Sequence, residues 1–90
     1  MYNLKFLKEA EEDLQRLKHF EPKAFQKALL LLDELCEHPK TGIGHPEPLR
    51  GDKCGQWSRR ITSKHRLVYE IHETEVVVLV LTAYGHYDDK

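Results

Sequence analysis

The chain reads as an α+β protein: an N-terminal strand, two helices, then an antiparallel sheet of three to four strands with the helices packed on one side. Apolar residues at three- and four-residue spacing are confined to residues 7–36. Apart from a weak alternation at residues 2–6, alternating and continuously apolar, β-branched-rich runs fall within residues 56–84, and a stretch rich in Pro and Gly separates the two regions. Helical period first and strand period afterwards is the pattern of segregated helices and sheet, because each element must bury its own apolar face against the other kind.

Residues 2–6 alternate weakly and predict a short strand. Leu7, Ala10, Leu14 and Leu17 then mark one face of a first helix that ends near His19. Glu21-Pro22 opens a second helix, since proline is tolerated in a first turn where its missing N–H has no partner to lose. Phe25, Ala28, Leu29, Leu32, Leu35 and Cys36 line its predicted apolar stripe, Leu30 and Leu31 widen it, and Pro39 and Gly42 terminate it. Residues 42–55 predict a long loop stiffened by Pro46 and Pro48. Glu47 lies between these prolines with little backbone freedom, so its carboxylate is presented at low entropic cost. Residues 56–62, 65–71 and 75–84 predict three strands joined by the turns Ser63-Lys64 and His72-Glu73-Thr74. Alternation sets Trp57, Arg59 and Ile61 opposite Ser58 and Arg60, and sets Arg66, Val68 and Glu70 opposite Leu67, Tyr69 and Ile71, without deciding which face meets the helices.

Ninety residues with 40% hydrophobic content suit a single domain over residues 1–90, without room for a second core. The longest apolar run, residues 76–81, is too short to cross a bilayer, and residues 1–6 lack the pattern of a secretory leader, so a cytoplasmic protein with no membrane association is expected. Cys36 and Cys54 have neither zinc-site nor redox spacing and are expected as free thiols. His38, His45 and Cys36 lack a familiar ligand spacing, so neither a metal nor another cofactor is expected.

The 14 basic and 15 acidic residues make no general case for nucleic-acid binding, but their distribution does. Residues 50–66 hold six basic residues and one acidic, whereas residues 9–37 hold eight acidic and four basic. A local positive patch attracts phosphate without a basic protein around it, although a cluster of charge by itself also fits a solvated sheet face.

Metal-free cleavage of RNA uses the neighbouring 2′-hydroxyl as nucleophile. It calls for a base, an acid for the leaving 5′-oxygen, and cations for the charge on the phosphorane. Arg59, Arg60 and Arg66 suit the cationic role, because guanidinium stays protonated and grips phosphate oxygens in pairs. An ordinary imidazole titrates at about 6.5 and an ordinary glutamate at about 4.3, so chemistry alone ranks His86 above Glu47 as proton carrier.

Pro46-Glu47-Pro48-Leu49, Trp57-Ser58-Arg59-Arg60-Ile61-Thr62, His65-Arg66-Leu67-Val68-Tyr69 and His86-Tyr87, in this order and spacing, closely resemble the Txe/YoeB toxins of the RelE/ParE superfamily. The resemblance spans residues 42–87 and implies a RelE/ParE-like, microbial RNase-like fold. It implies the toxin of a type II toxin–antitoxin system, a ribosome-dependent endoribonuclease that cuts mRNA in the A site of the 70S ribosome. Its implied partners are a cognate Phd/YefM-type antitoxin and a second copy in a homodimer. Carried onto this sequence, it makes Glu47 the general base, Arg66 the stabiliser of the phosphorane, His86 the general acid and Tyr87 a substrate-positioning residue. Arg50, Arg59 and Arg60 become the phosphate- or RNA-binding set, with Arg50 standing where a lysine is common. Because the residues alone rank His86 first, both orders of acid and base between Glu47 and His86 stay open. The rival class is a non-catalytic inhibitor or binding module on the same fold, as in ParE toxins. A surface acting by occupancy has no need of Glu47, Arg66, His86 and Tyr87 together.

Overall fold

In the computed structural model, which describes residues 1–49 and 55–85, the order is β1 (Asn3–Phe6), α1 (Lys8–Phe20), α2 (Pro22–Leu35), β2 (Glu47–Pro48), β3 (Gln56–Arg60), β4 (Arg66–His72) and β5 (Val77–Thr82). Glu9 and Glu11 in the first turn of α1, with Lys18 and His19 in its last, complement the helix dipole. A single residue, Glu21, links the helices. Its N–H closes α1 on the Leu17 carbonyl, its own carbonyl accepts from Phe25 N–H, and Pro22 follows in the first turn of α2.

Among the described residues the strands form one sheet in the order β1-β5-β4-β3-β2. The meander β3-β4-β5 is antiparallel as expected. β2 brings the antiparallel part to four strands, within the three to four expected, and the expected N-terminal strand makes five. β1 joins as a parallel edge beside β5, since the two are separated in sequence by the helices that a parallel neighbour requires as a crossover. β2 forms inside the predicted loop, where Glu47 pairs with Ser58 and Pro48 with Trp57. A two-residue edge strand tolerates Pro48, because proline's missing N–H is harmless where no further strand pairs.

Register decides the question that alternation left open. Leu4 and Phe6, Trp57 and Arg59, Leu67 and Tyr69, and Val78 and Val80 turn towards the helices, where Ala10, Leu17, Ala28, Leu31 and Leu35 meet them in one core. The stripe of α2 is rotated from its sequence-based position. Ala24, Ala28, Leu31, Leu32 and Leu35 are buried, whereas Leu29 and Leu30 are exposed. An unbroken run of four leucines satisfies several helical phases equally, so packing against the sheet chooses among them.

The segment from α2 to β2 is organised by Arg59, whose side chain is fully buried. Its Nε donates to Tyr69 Oη at 3.2 Å; Nη1 donates to Glu34 Oε1 at 2.6 Å and to the Ile43 carbonyl at 3.3 Å. Nη2 donates to the carbonyls of His38 and Thr41. All five guanidinium N–H groups are thereby engaged, and the loop wraps a cation in place of an apolar plug. Gly42 is needed in that wrap: it stands at φ +116°, and a Cβ there would lie 1.9 Å from Glu34 Oε1.

Candidate active site

The face of the sheet turned away from the helices carries the candidate chemistry. Glu47 on β2 lies opposite Ser58 on β3, and Arg66 opens β4 one diagonal away. Arg66 Nη1 reaches across Ser58, 3.4 Å from its Oγ and 3.3 Å from Glu47 Oε1. The Arg66 side chain is 15% exposed and that of Glu47 is 54% exposed. A pair this open to water adds at most about 1 kcal/mol to folding, so stability alone does not account for it. Arg60 is exposed and lies directly opposite Arg66 in the β3–β4 register. Like charges facing one another across strands are destabilising, and they become favourable when an anion lies between them.

Three of the sequence-based candidates are brought to this face, and one is not. Glu47, Arg60 and Arg66 share it. Arg59, expected in the RNA- or phosphate-binding set, is corrected: it points to the opposite side of the sheet, is fully buried, and spends every donor on protein acceptors. Alternation alone separates it from Arg60, its neighbour in sequence. Arg50, His86 and Tyr87 lie outside the described residues, as does Cys54. Among the described residues, no group of three or more His, Cys, Asp or Glu side chains is placed to hold a metal ion.

Electrostatics around Arg59 support this division. Burial acts to raise the Glu34 pKa, but the Ile43 N–H and the Arg59 guanidinium outweigh it and hold the carboxyl below its usual value. Burial pushes the Tyr69 hydroxyl up against the opposing pull of Arg59, so it stays protonated and donates to the Pro39 carbonyl at 2.7 Å.

Sequence reasoning passed over the contacts that carry the chain away from β5. Asp13 on α1 is buried and its Oδ2 accepts the Ala83 N–H at 3.0 Å. His65 is buried, its Nδ1 accepts the Gly85 N–H at 2.9 Å, and its Nε2 lies 2.8 Å from Glu21 Oε2. No local pattern signals these contacts, because the partners stand 70, 20 and 44 residues apart. Ser58 was likewise visible only as one residue of a strand.

A two-helix hairpin covering one face of a mixed sheet, with a carboxylate and two arginines on the other, defines a small α+β protein of the RelE/ParE type. The model of the YoeB-like toxins of bacterial type II toxin–antitoxin systems matches residues 6–87, and the chain belongs to that family. Toxin YoeB of Mycobacterium bovis is 39% identical over 79 residues, covering 88% of this chain and 93% of its own. The solved YoeB/ParE toxin from Agrobacterium tumefaciens superposes with a TM-score of 0.88 at 32% identity, covering 94% of this chain and 99% of that one. YoeB of Staphylococcus aureus superposes at 0.82 with 31% identity, both as a dimer, covering 96% of this chain and 98% of that one, and in complex with YefM, covering 97% and 99%.

Proposed function

We propose that the protein is the toxin of a type II pair and acts as a ribosome-dependent endoribonuclease, residues 1–90 working as one cytoplasmic toxin domain that cleaves mRNA in the ribosomal A site. The observation that carries this reading is Arg66 set 3.3 Å from Glu47 on the face turned away from the helices, with exposed Arg60 opposite it. In the reaction a base takes the proton of the 2′-hydroxyl, whose oxygen attacks the adjacent phosphorus. The bond to the 5′-oxygen then breaks and that oxygen receives a proton, leaving a cyclic phosphate and a free 5′-hydroxyl. Glu47 and His86 share the two proton transfers, Arg66 stabilises the charge on the phosphorane, Arg60 and Arg50 hold phosphate, and Tyr87 positions substrate. The nucleophile is already part of the substrate, so the chemistry needs no metal to generate one.

A net charge of −1 gives the protein little long-range pull on any RNA, the ribosome's included, so docking rests on the local excess of basic residues in 50–66. The YoeB dimer and the YoeB–YefM complex of Staphylococcus aureus support a homodimer and a YefM-type antitoxin as partners.

Purified protein added to a cell-free translation reaction, with mRNA ends mapped by primer extension, tests the reading. New ends at A-site codons that require both ribosomes and an intact His86 are expected. Translation arrest without new ends, or arrest that persists in His86→Gln, would transfer the function to an inhibitor acting by occupancy.

A further inference from the structure

β5 ends at Thr82, and beyond it buried side chains of other elements receive the backbone donors of the chain. Asp13 takes the N–H of Ala83, and His65 takes the N–H of Gly85. The Gly85 carbonyl in turn accepts from Arg66 N–H at 2.9 Å. Gly85 is therefore gripped on both its polar groups by two consecutive residues, and the second of these sends its side chain to Glu47.

The His65 ring has little freedom to move. Glu21 Oε2 stands 2.8 Å from Nε2, the Tyr84 ring packs against it at 4.2 Å between centroids, and the Arg16 guanidinium lies over the Tyr84 ring, 4.7 Å from its centroid. Because an N–H points at Nδ1, that nitrogen must carry a lone pair, and Nε2 must carry the proton donated to Glu21. The ring is locked as one tautomer in one orientation by a carboxylate that sits in the one-residue link between the helices.

We propose that His65, braced by Glu21, is a positioning residue: by holding the Gly85 amide it sets where the chain delivers His86 and Tyr87 relative to the Glu47–Arg66 pair. The proposal rests on the endoribonuclease reading for its catalytic consequence, though the clamp on Gly85 can be read independently of it. Precision is what such a clamp contributes, since a displacement of about 1 Å at a reacting group costs on the order of 100-fold in rate.

Two near-isosteric variants of the full chain separate its two ring nitrogens. Asn places an oxygen near the position of Nδ1 and keeps an acceptor for Gly85 without reaching Glu21. Gln places an amide donor near Nε2 and keeps the Glu21 contact without that acceptor. Three quantities are measured: the single-turnover cleavage rate on programmed ribosomes, the ribosome concentration giving half-saturation, and hydrogen exchange at the Gly85 amide by NMR. His65→Gln is expected to lower the rate ~10- to 100-fold with unchanged half-saturation and to accelerate Gly85 exchange, while His65→Asn retains most of the rate and protection. Wild-type behaviour in His65→Gln, or an equal loss in both variants that follows their melting temperatures, would overturn the proposal. If the wild type cleaves nothing, the enzymatic reading fails instead, and Gly85 exchange alone decides the clamp: acceleration in His65→Gln upholds it and no change overturns it. Should His65→Gln not fold, Glu21→Gln is the second variant. A smaller loss of rate with faster Gly85 exchange is expected there, and no effect on either refutes the clamp.

Discussion

Glu34 Oε1 stands 2.6 Å from Arg59 Nη1, so a carboxylate from the last turn of α2 neutralises a guanidinium buried beneath β3. The same oxygen accepts the Ile43 N–H at 2.8 Å, which ties the loop leading to Glu47 into this pair. Arg59 thereby contributes to the site from behind the sheet, by shaping the approach to β2.

Replacing Arg59 with Met removes a buried cation and strands Glu34 together with several carbonyls. The expected loss is about 3–5 kcal/mol in urea denaturation, as when one partner of a buried ion pair is deleted. A variant with wild-type stability and weakened RNA binding would instead return Arg59 to the phosphate-binding set.

Acid should act through Glu34. Its carboxyl titrates below the unfolded value of 4.5, so the folded state binds that proton less tightly than the unfolded chain does. The stability it contributes is complete above that value and is lost as pH falls through the lower, folded one. Melting temperature measured from pH 6 to pH 3 should therefore fall less steeply in Glu34→Gln than in the wild type. Parallel curves would remove Glu34 from the account of acid sensitivity.

Gly42→Ala tests the wrap around the guanidinium. A Cβ 1.9 Å from Glu34 Oε1, on backbone at φ +116°, must displace the carboxylate or the loop. Strain of this kind costs about 1–3 kcal/mol, which thermal unfolding would detect. Unchanged melting would show that the loop relaxes freely.

Arg60 and Arg66 should fail differently. Arg60→Ala is expected to weaken binding to a single-stranded RNA and to reduce its salt slope by about 0.7, the value for one lost phosphate contact on a single strand. Arg66→Ala is expected to lower the cleavage rate by ~100-fold or more, since it removes charge stabilisation in the transition state. Equal effects of both variants on rate and on salt slope would erase the distinction between holding substrate and stabilising the phosphorane.

In α2, Leu31→Ala should cost about 2–5 kcal/mol because it opens a cavity in the core. Leu30→Ala, at an exposed position, should stay within about 0.5 kcal/mol in the monomer. Comparing the two by chemical denaturation checks the rotation of the stripe directly.

The α+β class, the helix pair and the antiparallel meander were legible because each rests on local periodicity. Apolar spacing in residues 7–36 and β-branched runs in residues 56–84 leave few alternatives once each element must hide one face. Glu47 between two prolines and the Arg60–Arg66 cluster were legible for the same reason, as local oddities of composition. Where the pattern was degenerate it failed: four consecutive leucines did not disclose that Leu31 is buried and Leu30 exposed. Two adjacent arginines did not disclose that Arg59 is a buried hub and Arg60 a surface cation.

From its own sequence this protein's helices, its longer strands and its candidate residues were legible, since those depend on neighbours within a few positions, and its resemblance to a toxin family was legible from the order and spacing of short motifs. Tertiary structure alone decided which sheet face the helices cover, that β1 and β2 extend the sheet, that Arg66 reaches Glu47 across Ser58, and that His65, itself bonded to Glu21, holds Gly85. The physical reason is range: each of these is a register or hydrogen bond between residues far apart in the chain. Their geometry follows from how the whole core packs, and no local preference encodes it.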